Sequence, residues 1–192
     1  MCALALAGCS SFVAPEVFLE ERQIEPPSLE RITVCAGEVC AKRREVSLTA
    51  EDRDTLRAFF AGTENEPAAE REAMKRAIAW FEHRVGVDDK RPPTEELDKQ
   101  NVKEVFWNYH SCVDDTANTT TFLLTLEQLG VLAQHEVEGQ AYRGLVIDGR
   151  VPHFTAVIRE KETGEEYAVD TWLYTTGEPV IVKPLSDWLW AY

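Results

Sequence analysis

The chain has 192 residues, 44% of them hydrophobic and 28% charged, a balance that suits one globular domain with a sizeable core and excludes a disordered or fibrous protein. Its formal charge of −14 and pI near 4.7 exclude the clustered Lys and Arg footprint that nucleic acid requires. No nucleic-acid partner is expected.

Taken in chain order, the first element is a leader. MCALALAGCSSF opens on small apolar residues and reaches Leu6-Ala7-Gly8-Cys9, which resembles the lipobox of bacterial lipoprotein signal peptides. The resemblance implies cleavage before Cys9, a lipid on its thiol, residues 1–8 as the signal remnant, and a body held by that anchor on the periplasmic side of the bacterial envelope. No other stretch approaches the roughly 20 apolar residues needed to span a bilayer. Residues 9–28 are polar and carry Pro15, Pro26 and Pro27, so they read as a tether. Residues 29–192 read as a single domain.

The domain opens with RITVCAGEVCAKRREVSLT, β-branched runs on either side of Ala36-Gly37-Glu38, which is a hairpin signature. Such a hairpin brings Cys35 and Cys40 close enough to bridge in an oxidising compartment. Their alternative use, a metal site, lacks a nearby His or further Cys to complete four ligands. With Cys2 and Cys9 in the leader, Cys112 remains as an odd thiol, a flag for reactivity in an exported chain. Thr49 then caps a short helix with Leu56, Phe59 and Phe60 on its apolar face. A second helix is expected from about Pro67 to Arg84, because Met74, Ala77, Ile78, Phe81 and Val85 form one stripe, with Gly86 placed to end it. Residues 87–102, with Pro92-Pro93, read as a surface loop. Helix resumes near Cys112, buries Leu123, Leu126 and Leu129, and stops at Gly130. The period then changes to two: VPHFTAVIREKETGEEYAVDTWLY gives two strands around Lys161–Gly164, and residues 179–183 suggest one more. Helices followed by strands predict an α+β fold, an N-terminal hairpin and helices leading to a Cys-bearing helix packed on an antiparallel sheet.

A thiol at a helix N-terminus faces free N–H groups and the positive end of the dipole, which favours the nucleophilic thiolate. A base and a group to orient it complete such a site. With a four-residue loop at Lys161–Gly164, or a two-residue one at Glu162-Thr163, Thr155 faces Asp170 and His153 faces Trp172, so His153 and Asp170 are diagonal neighbours on one face. Diagonal neighbours lie about 7–8 Å apart at the backbone, within reach of a carboxylate for an imidazole. A three-residue loop would send the two side chains to opposite faces. His110 is a rival base by proximity, but two residues before Cys112 it points away. A metal cluster of His110, Cys112 and Asp114 lacks standard spacing, and no metal or cofactor is expected.

The stretches SCVDDTANTTTFLLTLEQLG, PHFTAVI and YAVDTW together resemble the transglutaminase-like branch of the papain-like cysteine enzymes. That branch carries a Cys at the start of a helix, a His in one strand and an Asp in the next. The resemblance implies Cys112 as nucleophile, His153 as general base and acid, Asp170 as the orienting carboxylate, and acyl transfer from a peptide or amide substrate to water or an amine. Ser111 stands where the family has an acid, and Phe154 where it has Ala. The oxyanion donors would be the Cys112 backbone N–H and, ahead of Trp107 and Tyr109, Asn108.

Each of these residues also has a plainer reading. A helix Cys and a strand His are commonly packing residues, an Asp can cap a turn, and Trp172 reads as core. Asp114 and Asp115 oppose ionisation of the neighbouring thiol. The alternative function is therefore a catalytically inactive envelope module that binds or scaffolds. Thr116, Thr119, Thr120 and Thr121, poor helix formers, either hydrogen-bond the segment in front of the strands or contact substrate.

Overall fold

A computed structural model describes residues 13–36, 39–85, 112–144, 152–171 and 180–190. The elements are α1 (Pro15–Glu20), β1 (Arg31–Ala36), β2 (Lys42–Ser47), α2 (Ala50–Phe59), α3 (Pro67–Val85), α4 (Cys112–Gln128), β3 (His135–Arg143), β4 (His153–Glu160), β5 (Glu166–Asp170), β6 (Ile181–Pro184) and α5 (Leu185–Trp190). The fold is α+β. β1 and β2 form a two-stranded antiparallel hairpin, and β3-β4-β5-β6 form a four-stranded antiparallel sheet in sequential order. No helix among the described residues is long and apolar enough to cross a membrane.

Local chemistry explains the helix boundaries. Thr49 and Asp52 form a capping box at α2, with the Thr49 hydroxyl accepting from the Asp52 N–H at 3.1 Å and the Asp52 carboxylate accepting from the Thr49 N–H at 2.9 Å. The same carboxylate accepts two bonds from Arg84 of α3, each 3.1 Å. Met74, Ala77, Ile78, Phe81 and Val85 are all buried, and Phe81 stacks on Phe122 of α4 with ring centroids 4.5 Å apart. Gly130, at φ 74°, ends α4 in a left-handed position that suits glycine.

The sheet is covered on both sides. Ala156, Ile158, Tyr167 and Val169 point into the core shared with α3 and α4. Ala141, Val157 and Ala168 point the other way, under Leu185 and Trp188 of α5. Side chains alternate along a strand, so His153 and Asp170 project from the α5 side.

The β4–β5 turn fixes that arrangement. The Glu160 N–H bonds to the Glu165 carbonyl and the Gly164 N–H to the Glu160 carbonyl, both at 2.8 Å, closing a loop of Lys161–Gly164. Ala156 faces Val169 and Arg159 faces Glu166, and this register continued sets Thr155 opposite Asp170. A buried polar clamp holds the turn. Glu70 of α3 accepts N–H bonds from Ala133, Gln134 and His135 at 2.8–3.0 Å and lies 2.9 Å from His135 Nδ1. Arg71 reaches His135 Nε2 at 3.1 Å and Glu160 at 2.8 Å. Lys161 donates to the Leu132 carbonyl at 2.8 Å. A slip of one residue would break these bonds and reverse every side chain of β5.

Two differences from the sequence reading stand out. The segment expected as a free tether folds onto the domain from Val13 onward: Val13 bridges Gln140 of β3, and Phe18, Leu19 and Ile24 are buried against the Cys35–Cys40 region. Three large apolar side chains outweigh the polar composition and the prolines. β3 is also an added strand. Its glutamates and Gly139, where the register shifts, mask the alternation that would reveal it.

Candidate active site

Cys112 opens α4 and is 7% exposed. Its helix is buried almost all round, from Asp114 to Leu126, because it lies between the hairpin and the sheet. The hairpin is fixed to the first turns of α4 by side chains of the helix. Asn118 accepts from the Cys35 N–H at 2.7 Å and donates to the Cys35 carbonyl at 3.1 Å. Asp114 accepts from the Cys40 N–H at 2.5 Å. Cys35 and Cys40 form a disulfide, Cα atoms 4.7 Å apart. Their sulfurs and an Asp114 oxygen lie within 4.8 Å of one another, but sulfurs bonded to each other are not thiolate ligands.

His153 begins β4 and Asp170 ends β5, so both stand at one end of the sheet. His153 Nε2 lies 2.8 Å from Asp170 Oδ2, with both side chains buried. The indole N–H of Trp188 donates to the same carboxylate oxygen at 2.8 Å, and its ring lies 5.5 Å from that of His153. Arg143 in turn covers Trp188 at 4.3 Å and donates to its carbonyl at 2.6 Å. The carboxylate thus orients the imidazole and is itself held by a buried donor.

Cys112 belongs to α4, which packs on the other face of the sheet, and the Asp170 carboxylate is near enough to act on its thiol. The backbone N–H of Phe154, the residue after His153, favours the Cys112 thiolate. Burial pushes the thiol up to about 11, against the pull of that N–H, and the carboxylates of Asp115, Asp170 and Asp114 push it the same way as burial. Cys112 therefore rests as a thiol at neutral pH.

The threonines behind Cys112 are buried joints. Thr119 lies 3.3 Å from Thr171, the residue after Asp170, and Thr120 accepts from Gln140 of β3 at 3.3 Å. Both tie α4 to the sheet, and Thr125 bonds back to the Thr121 carbonyl at 2.8 Å. Cys9, Trp107, Asn108, Tyr109, His110 and Trp172 lie outside the described residues. Trp188 escaped the sequence reading. Its available signal was the apolar close DWLWAY, since a buried indole N–H normally finds an acceptor.

Comparison of the chain with protein-family models, with curated proteins and with solved structures finds no match.

Proposed function

We propose that the protein is a thiol-dependent acyl-transfer enzyme with a transglutaminase-like core, in which Cys112 is the nucleophile, His153 the general base and acid, and Asp170 the orienting carboxylate. The observation that carries this reading is the buried His153–Asp170 bond of 2.8 Å, with the Asp170 carboxylate and the backbone of Phe154, the next residue of β4, both acting on the Cys112 thiol. A resting thiol dictates the order of events. The Cys112 sulfur attacks the carbonyl carbon of an amide as its proton passes to His153. The tetrahedral adduct expels the amine, which takes that proton from His153, and leaves a thioester on Cys112. Water or a second amine, deprotonated by His153, then releases the acyl group.

The same proposal takes Cys9 as a lipidation site and the bacterial envelope, on its periplasmic side, as the location. Peptide amides are the substrate class. The Cys35–Cys40 disulfide supports an oxidising compartment.

A second reading, a binding or scaffold module with an idle site, is favoured by the thiol held up at about 11. The two are separated by exposing the protein to an activated acyl ester and reading the mass of the Cys112 peptide. The enzyme reading expects a stable or transient acyl adduct at Cys112 that forms much more slowly in His153→Ala. Equal acylation of the parent and His153→Ala would refute the assigned role of His153.

A further inference from the structure

We propose that the face made by α1, the edge of β3 and the disulfide turn docks on the bilayer surface, an inference that rests on the lipid-anchor reading of Cys9. Three residues separate Cys9 from Val13, and Val13 is already part of the fold through its bridge to Gln140. Four Cα–Cα steps span at most about 15 Å. That is about twice the roughly 5–7.5 Å of headgroup region on one side of a bilayer. A lipid on Cys9 therefore keeps Val13 within about 10 Å of the membrane surface, and favours the face around Val13 as the one that meets it.

That face has the chemistry for it. The described residues hold five exposed large hydrophobic side chains: Val13 43%, Val17 47%, Val39 60%, Tyr142 41% and Trp190 77% exposed. Val17, Val39 and Tyr142 adjoin one buried cluster, and Val13 bridges Gln140 on the edge strand beside it. Val17 stands beside Phe18 and Val39 beside Cys40, both buried in the cluster under α1. Tyr142 meets Phe154 at 4.9 Å, and Phe154 meets Phe18 at 6.5 Å. Tyrosine and small apolar side chains at a rim suit the interface between headgroups and acyl chains. Glu16 and Glu20 are exposed on the same helix and Glu21 at its C-cap, and the chain carries −14, so zwitterionic headgroups fit and anionic ones are disfavoured. Phe154 also follows His153 in β4, so docking turns that end of the sheet toward the membrane surface.

The test uses the full chain, produced in a bacterial host and reconstituted in phosphatidylcholine vesicles. Nitroxide labels are placed singly at Val17→Cys, Tyr142→Cys and, as a control in the exposed β4–β5 turn, Glu162→Cys. Collision with oxygen, which concentrates in lipid, is compared with collision with a water-soluble nickel complex. The proposal expects the oxygen-to-nickel ratio at positions 17 and 142 to exceed that at 162 severalfold, and the difference to shrink in vesicles rich in phosphatidylglycerol. The mass of the N-terminal peptide is read on the same sample. An acylated chain whose labels at 17 and 142 match the control overturns the docking face and leaves the anchor standing. An unacylated chain that stays out of the vesicle fraction overturns both. An unacylated chain whose two labels still enter lipid supports the face and removes the anchor.

Discussion

The pH dependence of Cys112 alkylation tests the site at its most consequential point. The perturbation is pH itself, followed by Asp115→Asn. At pH 8 a thiol with a pKa of about 11 is ionised in about one molecule in a thousand, against about a quarter for a free thiol of about 8.5. The more basic thiolate is the better nucleophile, and a Brønsted coefficient of about 0.4–0.5 returns roughly a factor of ten over that difference. Net alkylation by iodoacetamide should therefore be about twentyfold slower than for a free thiol, before the 7% exposure of Cys112 slows it further. The rate, read by mass spectrometry of the Cys112 peptide, should climb about tenfold per pH unit with no plateau below about pH 10. Asp115 is the foremost charged contributor to the raised thiol pKa, so Asp115→Asn should move the whole profile to lower pH. A plateau below pH 8 would refute the argument. Its disappearance in His153→Ala would then identify a resting thiolate–imidazolium pair, in which His153 outweighs the burial and the three carboxylates.

Three further outcomes follow from the same contacts. Between about pH 8.5 and 11 the unfolded chain loses the Cys112 proton while the folded chain retains it, so stability falls as pH rises through that window; a shift from about 8.5 to about 11 corresponds to about 3 kcal/mol. Urea unfolding of the parent and Cys112→Ala across that range should show this loss in the parent alone, and parallel curves would contradict it. Trp188→Phe removes the buried indole donor to Asp170 and should lower stability by about 1–3 kcal/mol and slow acylation of Cys112; unchanged melting and acylation would deny the bond any role. Replacing Cys35 and Cys40 together by Ala opens a short closed loop and should cost about 2 kcal/mol, seen as a lower urea midpoint that dithiothreitol no longer changes.

Much of the architecture was legible because it rests on periodicity and punctuation. The α3 stripe, the Thr49 cap, Gly130 after α4 and the turn at Lys161–Gly164 are local signals, and each corresponds to a feature of the fold. The His153–Asp170 approach was legible for the same reason, since a four-residue turn fixes which side chains share a face. What could not be read depends on distant partners. Glu70 looks like a helix surface residue until the N–H groups of Ala133, Gln134 and His135 arrive to satisfy it. Trp188 lies outside every motif and finds Asp170 only when α5 folds over the sheet. α1 is short, proline-led and flanked by acids, and only the pocket beside the disulfide makes Phe18 and Leu19 a core. The elevation of the Cys112 thiol was half legible: Asp114 and Asp115 stand in the sequence, whereas burial, the larger cause, does not.

The geometry also explains why so much of the fold converges on one short backbone segment. The dyad projects toward α5, whereas α4 packs against the other face, so thiol and imidazole can cooperate only where the sheet ends. Phe154 occupies that end. Its N–H favours the Cys112 thiolate, and its ring sits between Tyr142 of the edge strand and Phe18 of α1. The position of α4 relative to that segment is set from outside the site. Asp114 and Asn118 fasten the helix to the disulfide hairpin, while Thr119 approaches Thr171 beside Asp170. Rigidity matters in such a site because misplacement by about 1 Å can cost about a hundredfold in rate. The hairpin and α1 contribute no reacting group, yet they set where α4 stands relative to Phe154, and the proton transfer from Cys112 to His153 that we propose requires that position to be held.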